Sequence, residues 1–340
     1  MLAAVRGGRP TRGERPRVSV VMAVYNGERF VGEAIQSLRT QTLEAFDLIV
    51  VDDGSTDATP HIVEALAAED DRIHLDIQPH SGYAAALNVG WRLAKSEYVG
   101  VLDADDLAEP SRLERQVGFL DAHPEVGVVG GALLLVTADG RPFYIATYPV
   151  APPEAREALK SRSPLGHTCV LMRRAVLEEV GGYRSVFPLA EDFDLWLRIS
   201  ERHALANVPD IVGRYRIHGG NGSIAGIRQQ AASMAAARQA AERNFQRQAS
   251  EEGNLAESEL ELALWWAQIA ARAGAGWQRV EKDAWRLARE AAARTSDPAG
   301  SRARIAQTQA KLGVQLGRRK GALRRRLLRA PQRKRDGSPL

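Results

Sequence analysis

The chain has 340 residues, 44% of them hydrophobic and 26% charged, a globular balance with enough apolar side chains for one large or two ordinary domains. Its one cysteine, Cys169, excludes a disulfide framework and sits in the apolar run Cys169-Val170-Leu171-Met172, which reads as a buried thiol of a reducing compartment. The formal net charge of +4 is uneven: from Pro298 to Leu340 there are thirteen Lys/Arg and one acid, leaving 33 basic and 41 acidic residues elsewhere, so an acidic body carries a basic tail.

The basic character therefore belongs to the tail and does not argue for nucleic acid binding by the main fold. No apolar run reaches the roughly 18 residues that a membrane-spanning helix needs. The first 16 residues are basic, contain Gly and Pro, and lack the apolar stretch of a signal peptide. These features point to a flexible N-terminus and a cytoplasmic protein.

From residue 17 the pattern alternates. Arg17–Val24 predicts a strand, Gly32–Thr40 a helix, Asp47–Val51 a strand, and Ala58–Glu69 a helix with apolar Ile62, Val63, Leu66 and Ala67. Arg72–Ile77 predicts a third strand, Tyr83–Ala94 a helix, and Tyr98–Leu102 a fourth strand. Strands separated by helices of this length imply right-handed βαβ units and a mostly parallel sheet. Pro110–Ala122 predicts another helix. The Val/Gly/Leu-rich segment Val126–Val136 then turns at Asp139-Gly140 and returns through Tyr148, a hairpin that makes the sheet mixed.

A short helix over Ala175–Val180 stops at Gly181-Gly182. Ala190–Arg198 predicts a helix with acids in its first turn, and Ile211–Ile217 a last strand ending at His218-Gly219-Gly220-Asn221. From about Ser223 the composition shifts to Ala, Gln, Arg and Glu, with no proline between Ile224 and Asp297. Three helices are expected there, broken near Gly253 and Gly274-Ala275-Gly276. The expected division is an N-terminal segment 1–16, an α/β domain 17–222, a helical region 223–312 and a basic tail 313–340.

In a sheet of this kind, ligands gather at the carboxyl ends of the strands. Three polar clusters fall there: Tyr25-Asn26-Gly27, Asp52-Asp53-Gly54-Ser55 and Asp103-Ala104-Asp105-Asp106. The last places three carboxylates in four residues directly after an apolar run. Such groups repel one another, and a divalent cation holding a diphosphate would compensate them, because hard oxygen ligands suit Mg²⁺ or Mn²⁺. Taken alone, the same residues also read as an acidic turn capping the next helix.

Four segments in this order resemble the family-2 glycosyltransferases: Ser19-Val20-Val21-Met22-Ala23-Val24-Tyr25-Asn26, Val51-Asp52-Asp53-Gly54-Ser55-Thr56-Asp57, Leu102-Asp103-Ala104-Asp105-Asp106, and Glu191-Asp192-Phe193-Asp194-Leu195-Trp196-Leu197-Arg198. The resemblance covers roughly residues 17–222. It implies the GT-A fold, an α/β Rossmann-like mixed sheet flanked by helices, here followed by an α-helical C-terminal region. The departures are Ala23, where the family usually has Pro, His80, where Asn is common, and Leu87, where Arg often precedes the Asn. None removes a carboxylate of the motifs.

The resemblance implies an inverting transfer of sugar from a nucleoside-diphosphate sugar, a UDP-sugar by family frequency, to a glycan or lipid-linked acceptor hydroxyl in surface polysaccharide or glycolipid synthesis. It assigns the nucleotide sugar to Ala23, Tyr25, Asp53 and Asp103, with Asp53 accepting from a ring N–H of the base. Mn²⁺ or Mg²⁺ falls to Asp105 of the DXD motif and to His218, and the general base to Asp192 at a helix start. Tyr25 could equally be a core aromatic, His218 a structural histidine, and Asp192 a helix cap. Glu191 is a weaker candidate base; Asp194 has the spacing to pair with Arg198. The basic clusters over residues 318–335, with Leu323, Leu327 and Leu328, read either as an amphipathic attachment to an anionic membrane surface or as a solvated end. No nucleic acid partner is expected. A nucleotidyltransferase of similar fold would want a Gly-rich basic loop after the first strand, which Tyr25-Asn26-Gly27-Glu28 does not offer. A non-catalytic sugar- or nucleotide-binding protein would have no need of Asp103, Asp105 and Asp192 together.

Overall fold

The computed structural model describes residues 16–221, 226–244, 251–273 and 277–312. The N-terminal segment and the tail clusters over 318–335 lie outside the described residues.

The alternation read from the sequence appears as β1 (Val18–Val24), α1 (Val31–Arg39), β2 (Phe46–Asp52), α2 (Thr59–Glu69), β3 (Ile73–Ile77), α3 (Tyr83–Leu93) and β4 (Tyr98–Val101). β1 lies between β2 and β4, and all three run parallel, with Val18 opposite Phe46 and Tyr98. β3 joins in parallel beside β2. In β1, Val18, Val20, Met22 and Val24 enter one core with α1, while Val21 and Ala23 enter a second core with α3. The period of two thus clothes both faces with helices.

The second half is mixed. β5 (Leu107–Ala108), α4 (Arg112–Ala122), β6 (Val126–Thr137), β7 (Pro142–Ala146), α5 (Pro152–Ala158), β8 (Leu171–Arg173), α6 (Arg174–Val180), α7 (Glu191–Ile199) and β9 (Ala204–Ile217) follow in chain order. The sheet runs β3-β2-β1-β4-β8-β6-β9-β5, with β7 on β6. The apolar segment around Cys169 leads into β8, an antiparallel strand wedged between β4 and β6. β9 begins seven residues earlier than the periodicity predicts and pairs in parallel with nearly all of β6. Its first half, Ala204–Pro209, lacks a clean alternation because it is buried from both sides.

The C-terminal region holds α8 (Ile227–Asn244), α9 (Glu251–Ala273), α10 (Gln278–Ala292) and a further helix, α11, over 298–312. α8 ends at Asn244 and α9 begins at Glu251, so the helices change close to Gly253 as expected, with Gly253 itself in the first turn of α9; the second expected break, Gly274–Gly276, lies outside the described residues. Pro298 opens α11, and the Asp297 carboxylate accepts the Gly300 N–H at 2.9 Å. Among the described residues no helix is long and apolar enough to cross a membrane.

Helix α3 meets the sheet at Gly90, where a Cβ would stand 2.3 Å from Val21 Cγ1 and 3.3 Å from Val51 Cγ2. Both neighbours are β-branched, buried and held in strands. Gly90→Ala is therefore expected to destabilise the protein by about 1–3 kcal/mol through overpacking, read as a lower denaturant midpoint at unchanged slope.

Candidate active site

The carboxyl ends of β1, β4 and β9 open onto a cleft of about 1020 Å³. Ala23, Tyr25, Asp103, Asp105, Asp192 and His218 all line it, so six of the seven residues expected from the sequence meet in one cavity. Asp53, at the end of β2, is not among the lining residues; it stands behind Tyr25, linked to it through His80, whose Nδ1 is 2.9 Å from Asp53 Oδ2.

The loops that carry these residues are zipped together. Asn26 adopts φ 51° and bridges two turns: its N–H donates to Ser55 Oγ at 2.8 Å, and its Oδ1 accepts the Thr56 N–H at 2.8 Å. The Gly27 N–H donates to Thr59 Oγ1 at 2.8 Å, and a Cβ there would strike Val24 Cγ2 at 2.5 Å. The Asp53 carboxylate, 4% exposed, accepts from Gln78 Nε2 at 2.6 Å and from the Ser81 and Gly82 N–H groups at 2.8 Å each. Burial pushes this carboxyl up, but those three donors hold it below the usual carboxylate range. It thereby fastens the β3–α3 loop. Above it Tyr25, 49% exposed, lies against His80 with ring centroids 4.3 Å apart, so Tyr25 is a surface aromatic of the cleft and not a core one.

At the end of β4 the acidic run divides its labour. Asp106 is buried and accepts the Arg216 N–H at 2.7 Å, tying the loop to β9. Asp105 turns toward His218, with Oδ2 2.9 Å from Nε2. Because the Gly220 N–H donates to Nδ1 at 3.1 Å, the Nε2 proton is the one that faces Asp105. A carboxylate oxygen and an imidazole nitrogen at this separation are a donor pair suited to Mn²⁺, and a cation between them would take that proton's place. Among the described residues no three His, Cys, Asp or Glu side chains converge as a closed cage. A cation here would therefore draw its remaining ligands from water or from phosphate oxygens.

Asp103 accepts a short hydrogen bond from Tyr83 Oη. Tyr83 Oη is also 3.2 Å from His167 Nδ1, and His167 Nε2 is 3.0 Å from Tyr183 Oη. Since the Tyr83 proton points at Asp103, His167 donates from Nδ1 and accepts from Tyr183 at Nε2. Burial keeps this imidazole below its ordinary pKa, with Asp192 pulling the other way. Tyr83, His167 and Tyr183 are functional candidates that reading along the sequence does not isolate. The one local signal is Tyr83, an aromatic placed directly after Gly82 at a helix start on the ligand-binding rim.

Asp192 belongs to the first turn of α7, which Phe193, Leu195 and Trp196 anchor in the core. Withdrawal from water raises the Asp192 carboxyl above the ordinary range; His167 and the Phe193 N–H oppose the rise, and Asp103 adds to it. Glu191 also lines the cleft and is raised to about 7, by burial first and then by Asp192. Asp194 is 1% exposed, outside the cleft, and ion-paired with both Arg184 and Arg198, which removes it from the candidate bases.

Backbone strain gathers at the same place. Among the described residues the non-glycine positions with positive φ are Asn26 (51°), Cys169 (70°) and Leu189 (63°). Asn26 and Leu189 line the cleft, and Cys169 directly follows the lining residue Thr168. Behind Cys169, the buried Arg112 guanidinium donates to Val101 O at 2.8 Å and Val170 O at 2.9 Å, and Gln116 Nε2 reaches Cys169 O at 2.8 Å. Arg112 thus adds a second donor to two carbonyls that already join these segments, Val101 O accepting the Cys169 N–H at 2.9 Å and Val170 O the Val101 N–H at 3.0 Å.

A carboxyl whose pKa is raised by folding adds stability below that pKa and loses it as pH rises through it. Asp192→Asn is therefore expected to raise Tm relative to wild type near pH 8, with the difference shrinking toward pH 4, as a thermal melt series across pH would show.

Residues 19–181 match the model of the family described as "Glycosyl transferase family 2". Putative glycosyltransferase EpsE of Bacillus subtilis is 37% identical over 191 residues, which cover 55% of this chain and 67% of that protein. Amylovoran biosynthesis glycosyltransferase AmsE of Erwinia amylovora is 29% identical over 208 residues, covering 58% and 75%. Among solved structures, the mannosyltransferase PcManGT from Pyrobaculum calidifontis in complex with GDP-Man and Mn²⁺ superposes with a TM-score of 0.53 at 22% identity, covering 88% of this chain and 81% of that one. The sheet topology, the acidic run at the end of β4 and these likenesses together make the chain a glycosyltransferase of family 2, with the GT-A fold.

Proposed function

We propose that the protein is an inverting, nucleoside-diphosphate-sugar-dependent transferase that acts in the synthesis of a bacterial polysaccharide or related glycan. The observation that carries this reading is the shared cleft, in which Asp105 and His218 stand at the end of β4 and β9 and Asp192 stands at the start of α7. One group of residues suits a diphosphate leaving group and the other suits a hydroxyl nucleophile.

In this mechanism Ala23 and Tyr25 line the base pocket. Asp53, whose Oδ2 also lies 2.9 Å from His80 Nδ1, would accept from a ring N–H of the base, and Asp103 faces the ribose. Asp105 and His218 would hold Mn²⁺ or Mg²⁺, which when bound neutralises charge on the departing diphosphate. Asp192 takes the proton of the acceptor hydroxyl as that oxygen bonds to the anomeric carbon. The bond from the anomeric carbon to the phosphate oxygen breaks, and its electron pair leaves with the nucleoside diphosphate. One displacement from the face opposite the leaving group inverts the anomeric centre. The raised pKa of Asp192 suits a base, because a carboxylate starved of water takes a proton more readily. The AmsE likeness, by its description, supports a polysaccharide product, and the complex of PcManGT supports a nucleotide-sugar donor with a divalent ion.

Asp192→Asn should lower kcat by about 10²–10⁴-fold while UDP or GDP with Mn²⁺ still raises Tm; Glu191→Gln should retain most activity. A fully active Asp192→Asn variant would overturn the assignment. In the same assay EDTA, Asp105→Asn or His218→Ala should each abolish the Mn²⁺-dependent part of the nucleotide thermal shift, measured by differential scanning fluorimetry. The activity of wild type should rise on the acid side of the pH profile as Asp192 loses its proton.

A further inference from the structure

The cleft does not end at Asp192. Beyond it, Gln230 of α8 and Trp265 and Gln268 of α9 line the same cavity, across from Tyr144 of β7. This roof is anchored to the elements that build the site. Met234 and Ala237 of α8 share a core with Phe193 and Leu195 of α7, and the Arg238 guanidinium lies 5.3 Å above the Phe193 ring. Leu262 and Trp265 of α9 pack against the same core as Tyr144, and the Arg272 guanidinium sits 4.6 Å over the Tyr144 ring.

Two independent features point to a ligand here. Gln230 Oε1 is buried and, among the described residues, meets no hydrogen-bond donor, although Gln230 lines the cavity. A carbonyl in that state has been stripped of water without a protein donor to replace it. Trp265, unlike its fully buried neighbour Trp266, is half-buried and faces the cavity. An aromatic face beside an orphaned amide acceptor suits a pyranose ring, which offers an apolar C–H face and a rim of hydroxyl donors. A prenyl chain would want a purely apolar lining, whereas this one carries amides and the Glu261–Arg304 ion pair. The cavity, about 1020 Å³ in all, lies at the top of the range of roughly 300–1,000 Å³ usual for a single small ligand.

Building on the transferase reading above, we propose that the C-terminal helices form a subsite for the second sugar of a glycan acceptor. Trp265 stacks on its ring and Gln230 Oε1 accepts from one of its hydroxyls, while the first sugar presents its hydroxyl to Asp192.

The test uses the full chain and p-nitrophenyl glycosides of glucose, galactose, mannose and N-acetylglucosamine, each as the monosaccharide and as a disaccharide ending in the same sugar. Transfer is followed from a panel of UDP- and GDP-sugars. For the accepted sugar, the disaccharide should exceed the monosaccharide in kcat/KM by about tenfold or more. Trp265→Ala and Gln230→Leu should each bring that ratio toward one. The ratio is taken within each variant, so a partly unfolded preparation does not mimic the effect, and Trp265→Phe should preserve it. Transfer with a flat ratio in wild type, or variants that keep the full ratio, would overturn the subsite while leaving the transferase reading intact. Absence of transfer from every donor would overturn the transferase reading itself.

Discussion

Asp103, Asp105, Glu191 and Asp192 reach one cleft from two elements, β4 and α7, and their mutual repulsion is the constraint around which the surrounding structure is organised. Three of them are pushed above their ordinary pKa by loss of water and by one another. The fold holds them in place from behind. Asp106 locks the β4 loop to β9, Tyr83 holds Asp103, His218 holds Asp105, and the first turn of α7 presents Asp192. Such a cluster favours cations and takes up protons readily, which is the electrostatic environment a diphosphate-bound metal and a general base both exploit.

The stiffness of this arrangement comes from backbone that is fully accounted for. β4 and the segment entering β8 stay joined up to the cleft through Val101, Cys169 and Val170, and the buried Arg112 and Gln116 add side-chain donors to the same stretch of backbone. The left-handed residues Asn26, Cys169 and Leu189 stand at or beside the cleft, where neighbouring hydrogen bonds and packing hold them in conformations that side chains other than glycine disfavour. On the donor side, Asn26, Gly27 and Asp53 knit three loops into one wall. On the side of Asp192, α8 and α9 extend the wall, using contacts to α7 and β7.

The Rossmann-like half was legible because its signals are local. Period-two apolar runs, intervening amphipathic helices and polar residues at the strand ends mark Tyr25, Asp103 and Asp105 as one rim without knowledge of the coordinates, while Ala23 comes only from the family resemblance. β8 was not legible: three paired residues beside a buried cysteine leave no periodic trace. The first half of β9 was hidden for a related reason, since a strand covered on both faces shows no alternation. Near Gly253 the helices change as expected, with the glycine in the first turn of α9 and not at the end of α8.

By itself, then, the sequence determined which residues bear charge, where strands end and which acids stand at a helix start, because these depend on neighbours within a few positions. Only the tertiary structure decided that Asp194 is spent on Arg184 and Arg198 while Asp192 faces the cleft. It alone joined Asp103 to Tyr83, His167 and Tyr183, and set Trp265 and Gln230 in the same cleft as Asp192. Those outcomes rest on contacts between residues far apart in the chain, 84 positions for Tyr83 and His167, and on which face of a helix meets which sheet, and neither is written in local spacing.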